Sequence, residues 1–114
     1  MNVHSILGNG FQEVIYQRAL EIEFGLQGLS FAREVSMPVF YKGAQIGERR
    51  VGFLLEGKIC VELKAIIQLE NVHLEQGKNY LEAFNLEIGM LINFWANSLE
   101  WKRLYNNKFN PKIN

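Results

Sequence analysis

The stretch "RRVGFLLEGKICVELKA", residues 49–65, decides the fold. Two β-type runs flank Glu56-Gly57-Lys58, a turn signal of hairpin length. With that three-residue loop, Leu55 stands opposite Ile59, and position 52 opposite position 62. Period-two alternation then sorts the side chains. One face carries Val51, Phe53, Leu55, Ile59, Val61 and Leu63, all apolar, and is expected to face the core. The other carries Arg50, Gly52, Leu54, Cys60, Glu62 and Lys64. A two-residue loop would pair 52 with 61 and mix the faces, so the first register is preferred. Glu62 and Lys64 then point the same way, roughly 7 Å apart along the strand. A carboxylate so placed can hold a divalent cation, and a neighbouring lysine can orient or deprotonate water and steady charge on a phosphate. Taken alone, the pair reads first as a solvated Glu–Lys contact on a sheet surface, since Glu-x-Lys often occurs by chance.

Around the hairpin the chain reads as alternating layers. Residues 11–24, "FQEVIYQRALEIEF", have apolar groups at helical spacing (Phe11, Ile15, Ala19, Ile22), with Asn9-Gly10 before and Gly25 and Gly28 after. Phe31–Tyr41 is strand-like, and Pro38 marks an edge or bulge. Residues 71–84 form a second helix despite Gly77. "IGMLINF", 88–94, predicts a strand buried on both faces, and 98–105 a last strand. The order is helix, three strands, helix, two strands, an α/β or α+β arrangement. Residues 1–105 read as one domain, and 106–114 as a polar tail expected to fray. On the first helix Glu13 and Tyr16 share a face; on the second, His73, Gln76 and Tyr80 form a stripe. Each also has a plain reading: a first-turn acid for Glu13, packing for the tyrosines, a cap for His73.

Composition narrows the chemistry. The 114 residues carry a formal net charge of zero, which disfavours holding nucleic acid by bulk charge alone. All twelve acidic residues are glutamate, so a triad built on aspartate cannot form. One cysteine excludes an internal disulfide and fits a reducing, cytoplasmic setting. Two histidines and that cysteine fall short of the four Cys/His ligands of a closed zinc site. No apolar run reaches the ~20 residues that span a bilayer, and no signal peptide is visible, so no membrane partner is expected.

Four segments in order carry a family likeness: "GFQEVIY" (10–16), "ICVELKA" (59–65), "VHLEQGKNYL" (72–81) and "GMLINF" (89–94). From about Val3 to Tyr105 the chain resembles the GxxExxY proteins, a bacterial and archaeal group of the PD-(D/E)XK nuclease-like superfamily. The resemblance implies a restriction-endonuclease-like core, a mixed sheet of about five strands flanked by helices. It implies metal-dependent phosphodiester hydrolysis on DNA or RNA with Mg2+ or Mn2+. Glu62 and Lys64 would be the catalytic acid and lysine, and Glu13 an added helix acid. Gln76 and Tyr80 would lie near the metal and the nucleic-acid backbone. Glu62, Glu13 and the backbone carbonyl of Leu63 would be metal ligands. Relatives usually carry an aspartate, a central ligand, in the slot held here by Gly52. Glu48, four residues away and roughly 13 Å along the strand, cannot replace it without a bulge. Hydrolysis is therefore expected to be weakened or lost. The alternative is a silent module binding nucleic acid, or a protein, through Trp101, Lys102, Arg103, Tyr105 and Lys108. Relatives usually have more helix before Val3; an uncovered apolar face there would favour a homo-oligomer.

Overall fold

A computed structural model describes residues 2–96 and 99–112. A short helix α1 (Asn2–Leu7) precedes α2 (Glu13–Leu26). Strands β1 (Phe31–Tyr41), β2 (Ala44–Leu55) and β3 (Ile59–Lys64) follow, then α3 (Asn71–Ala83), β4 (Ile88–Asn93) and β5 (Glu100–Tyr105). The strands form one sheet in the order β1-β2-β3-β4-β5. β3 and β4 pair in parallel across the α3 crossover, and the other pairs are antiparallel. A helix-bridged parallel pair inside an otherwise antiparallel sheet is the expected mixed α+β architecture.

The hairpin register is the one the loop length implied. Leu55 pairs with Ile59, Leu54 with Cys60 and Phe53 with Val61. Both faces of the sheet are covered around β3 and β4, whereas Ala44–Arg50 of β2 are exposed. Phe53, Val61, Leu63, Ile92 and Phe94 pack with Tyr16 and Leu20 of α2. Cys60, Leu91 and Leu104 pack with Leu81 of α3 and the following Leu86. Two details correct the sequence reading. Val51 is buried with the α3-side cluster, not with Phe53. Alternation breaks between the pairs Arg33–Phe53 and Val35–Val51, where Glu34 adopts a φ of 51° and the register skips Glu34 and Gly52. On α2 the buried residues are Tyr16 and Leu20, while Ile22 is 64 % exposed.

β1 is an edge strand, as Pro38 suggested, with a register shift at Val39/Phe40. Gly77 lets α3 lie close on β5: an added Cβ would stand 2.3 Å from Leu104 Cδ1. After β5, Asn106 and Asn110 make hydrogen bonds to the segment at the end of α3. The Asn106 amide donates to the carbonyls of Leu81 and Leu86, both at 3.0 Å, tying off the end of α3. Asn85 and Asn110 exchange side-chain and backbone bonds at 2.8 and 2.9 Å. No described helix is long and apolar enough to cross a membrane.

Candidate functional site

The site gathers where β3 ends beside β4 and the start of α2. β3 delivers Glu62 and Lys64; in register with Lys64 is Asn93, the last residue of β4. Glu13 is the first residue of α2. Its carboxyl feels both Lys64 and Glu62, so the three groups share one electrostatic neighbourhood. Burial pushes the Glu62 carboxyl above the ordinary carboxylate range. The Gly52 N–H and Lys64 oppose that rise, Glu13 adds to it, and Arg49 opposes it again. Loss of water also raises Glu13, against the pull of Lys64. Desolvation disfavours a charged carboxylate, and two neighbouring acids disfavour each other's ionisation.

Gly52 lies on the neighbouring strand. Its N–H donates to Glu62 Oε1 at 3.4 Å, a long and weak bond. A Cβ there would stand 2.9 Å from the Val61 carbonyl oxygen and 3.1 Å from Leu63 Cδ1. The backbone has closed over the slot, so an aspartate would enter only if the strand moved.

On α3, Tyr80 is half-buried beneath the Arg49 guanidinium, whose carbon lies 4.2 Å from the ring centroid. Tyr80 thus reaches the edge of the site through Arg49. Gln76 is exposed one turn earlier. His73 is a cap: its Nδ1 accepts the Glu70 N–H at 2.9 Å. Tyr16 is structural. It is fully buried and stacked on Phe94 at 4.6 Å. Its hydroxyl donates to the Gly8 carbonyl and accepts the Phe11 N–H, closing the turn into α2.

Two residues escaped the sequence reading. Arg49 gave no signal beyond its place three residues before Gly52. Asn93 did give one, a lone amide inside the apolar run 88–94. It is fully buried, and its Oδ1 accepts the Ile66 and Trp95 N–H groups at 3.1 and 3.2 Å. Its amide donates to Glu100 Oε1 at 3.0 Å, and that oxygen also accepts the Leu69 N–H. This hub pins the loop after Lys64 to the two strands beside it.

A mixed sheet with an acid-x-lysine at the end of its middle strand, and a helix acid beside it, is the frame of a metal-dependent nuclease core. The chain belongs to the PD-(D/E)XK nuclease superfamily, whose family profile matches residues 1–104. No curated protein sequence matches it. Among solved structures, it is similar to SSO0001, at 19 % identity and a TM-score of 0.59. That match covers 82 % of this chain and 50 % of the other, so the chain spans about half the length of that protein.

Nucleases of this superfamily generally use Mg2+ or Mn2+. The donor set here does not suit such an ion. Magnesium wants charged oxygens in near-octahedral geometry. Burial raises the Glu62 and Glu13 carboxyls above their ordinary value, and one Glu62 oxygen faces the Gly52 N–H. Among the described residues, no group of three or more His, Cys, Asp or Glu side chains is placed to hold a metal.

Proposed function

We propose that this chain is a GxxExxY-type nuclease-fold protein that engages a phosphodiester backbone at Lys64 and whose metal-dependent hydrolysis is weakened or lost. The observation that carries this reading is at Gly52: a Cβ there would stand 2.9 Å from the Val61 carbonyl oxygen, so a side chain enters only if the strands shift, and its N–H meets the remaining hairpin acid. Lys64 keeps its place beside Glu62 and Glu13, and Arg49 adds a second cation on the same side. What survives is a positively charged contact for a phosphate, flanked by two acids that no longer form a complete ligand set.

The test is a cleavage assay with Mg2+ and Mn2+ on single- and double-stranded DNA and RNA, paired with strand binding. The chain is expected to bind, to lose affinity with Lys64→Ala, and to cleave no faster than that variant. Cleavage by the unaltered chain that vanishes with Lys64→Ala would overturn the loss of hydrolysis. A second reading, a self-associating module, has its own observation: Ile6, Ile22 and Leu26 are 79 %, 64 % and 76 % exposed on α1 and α2. Light scattering across a concentration series separates a monomer from an oligomer.

A further inference from the structure

Directly after Lys64 the chain lines a groove of about 610 Å³ between loop residues 65–68 and the first turn of α3. Its apolar wall contains Ile67, Val72 and Trp95, which are 86 %, 55 % and 37 % exposed. Its polar rim contains Gln68, Glu70 and His73. The wall is held in shape. Trp95 Nε1 donates to the Phe11 carbonyl, and the Trp95 and Ile66 N–H groups are fixed by buried Asn93. An indole anchored by its N–H and open on one side is a stacking surface, and three large apolar groups left in water at one place mark a binding site.

We propose that this groove takes an unpaired nucleobase of a strand whose phosphate is engaged at Lys64. This rests on the reading that Lys64 contacts a phosphodiester. The occupant follows from continuity and chemistry. The groove opens at Ala65, one residue beyond Lys64, so a strand held there passes its mouth. Bases stack on aromatic side chains with little regard to sequence. The rim offers both kinds of polar partner a base edge needs: the Gln68 amide donates and accepts, and the Glu70 carboxylate accepts. His73 uses Nδ1 for the Glu70 N–H, which turns its other ring nitrogen to a new partner. A duplex keeps its bases stacked inside and gains nothing from the groove, so single strands are preferred.

The experiment reads Trp95 fluorescence in a Trp101→Phe background, where Trp95 is the remaining tryptophan. Probes are a short oligodeoxyadenylate, its duplex, the same strand with abasic sites, deoxyadenosine monophosphate, and ribose phosphate. Saturable quenching is expected with the intact single strand and the nucleotide, and little with the duplex, abasic strand or ribose phosphate. By fluorescence anisotropy, Trp95→Ala should weaken single-strand binding roughly tenfold, the scale of one lost base stack. Trp95→Phe should retain most of it. Lys64→Ala should weaken single strand and duplex alike. Strand binding unaffected by Trp95→Ala in a folded protein overturns the groove and leaves the Lys64 reading standing. Quenching by the nucleotide without strand binding overturns the Lys64 reading and upholds the groove. Quenching by neither overturns the groove.

Discussion

The backbone N–H of Gly52 points at Glu62 Oε1 across 3.4 Å, so a main-chain donor stands where the hairpin's second acid would have been an acceptor. This relationship sets the character of the site. A missing ligand could leave an open slot for water. Here the strands have closed on it, with the Val61 carbonyl oxygen 2.9 Å from where a Cβ would be. Carbonyl oxygens in a paired strand yield only if the strand yields.

Gly52→Ala is therefore expected to destabilise the protein by about 1–3 kcal/mol, the usual cost of overpacking. In thermal denaturation that is a fall of roughly 4–8 °C for each kcal/mol in a domain of this size. Gly52→Asp should melt lower still without divalent cations, because a further carboxylate joins Glu62 and Glu13. If it completes a metal site, Mn2+ will recover part of the loss, since a ligand that binds only the folded state stabilises it. An unchanged melting temperature for Gly52→Ala would show that the slot is open after all.

Glu62 makes stability depend on pH in a definite direction. Its folded carboxyl holds a proton more tightly than the ordinary value of 4.5 implies, burial being the first cause. The native state then binds more protons than the unfolded one between 4.5 and the raised folded value. Over that window stability falls as pH rises. Glu62→Gln, which keeps an acceptor for the Gly52 N–H, should melt higher than the unaltered chain at neutral pH. The difference should close as pH falls to 4.5 and the native carboxyl becomes neutral. A lower melting temperature for Glu62→Gln at neutral pH would mean that Lys64 and Arg49 outweigh the burial.

Asn93 acts on the site through the backbone. Asn93→Ala leaves the Ile66 and Trp95 N–H groups without their acceptor and Glu100 without one donor. Each buried polar group left unpaired costs about 1–3 kcal/mol, so this variant should rank among the more damaging substitutions. Amide hydrogen exchange should quicken first at Ile66 and Trp95. Exchange spread evenly over the sheet would instead mean global destabilisation with no local role.

The parts legible in the sequence were those governed by short-range rules. Loop length and alternation fixed the Leu55–Ile59 register. Pro38 marked the edge strand because proline cannot serve an interior ladder. The failures were tertiary. Ile22 fits the apolar period of α2, yet the sheet covers Tyr16 and Leu20, and only docking decides which stripe is buried. Val51 packs on the α3 side because the β1–β2 ladder is interrupted between Phe53 and Val51, where Glu34 has a φ of 51°, which alternation cannot foresee. The tail looked free because its asparagines are polar; the Asn106 amide donates to the Leu81 and Leu86 carbonyls, partners distant in sequence. Arg49 acts on Glu62 directly and meets Tyr80, some thirty residues on, with no local pattern to announce either contact.

Gly77 offers the clearest test of how closely α3 lies on the sheet. In an exposed helix, Gly→Ala stabilises by about 1 kcal/mol through backbone entropy alone. Here the new methyl carbon would stand 2.3 Å from Leu104 Cδ1, and Leu104 is 4 % exposed in the α3-side core. The side chain has little space to retreat, so contact outweighs propensity. Gly77→Ala is expected to cost about 1–3 kcal/mol net in chemical denaturation. Leu104→Val alone should cost on the order of 1 kcal/mol for the lost methylene. Combined, the two should cost less than their sum, because the shorter side chain frees the space the new methyl needs. That coupling is the signature of two residues in direct contact. If Gly77→Ala instead stabilises by the ordinary helix increment, with no coupling to position 104, then α3 stands further from β5 than the geometry shows.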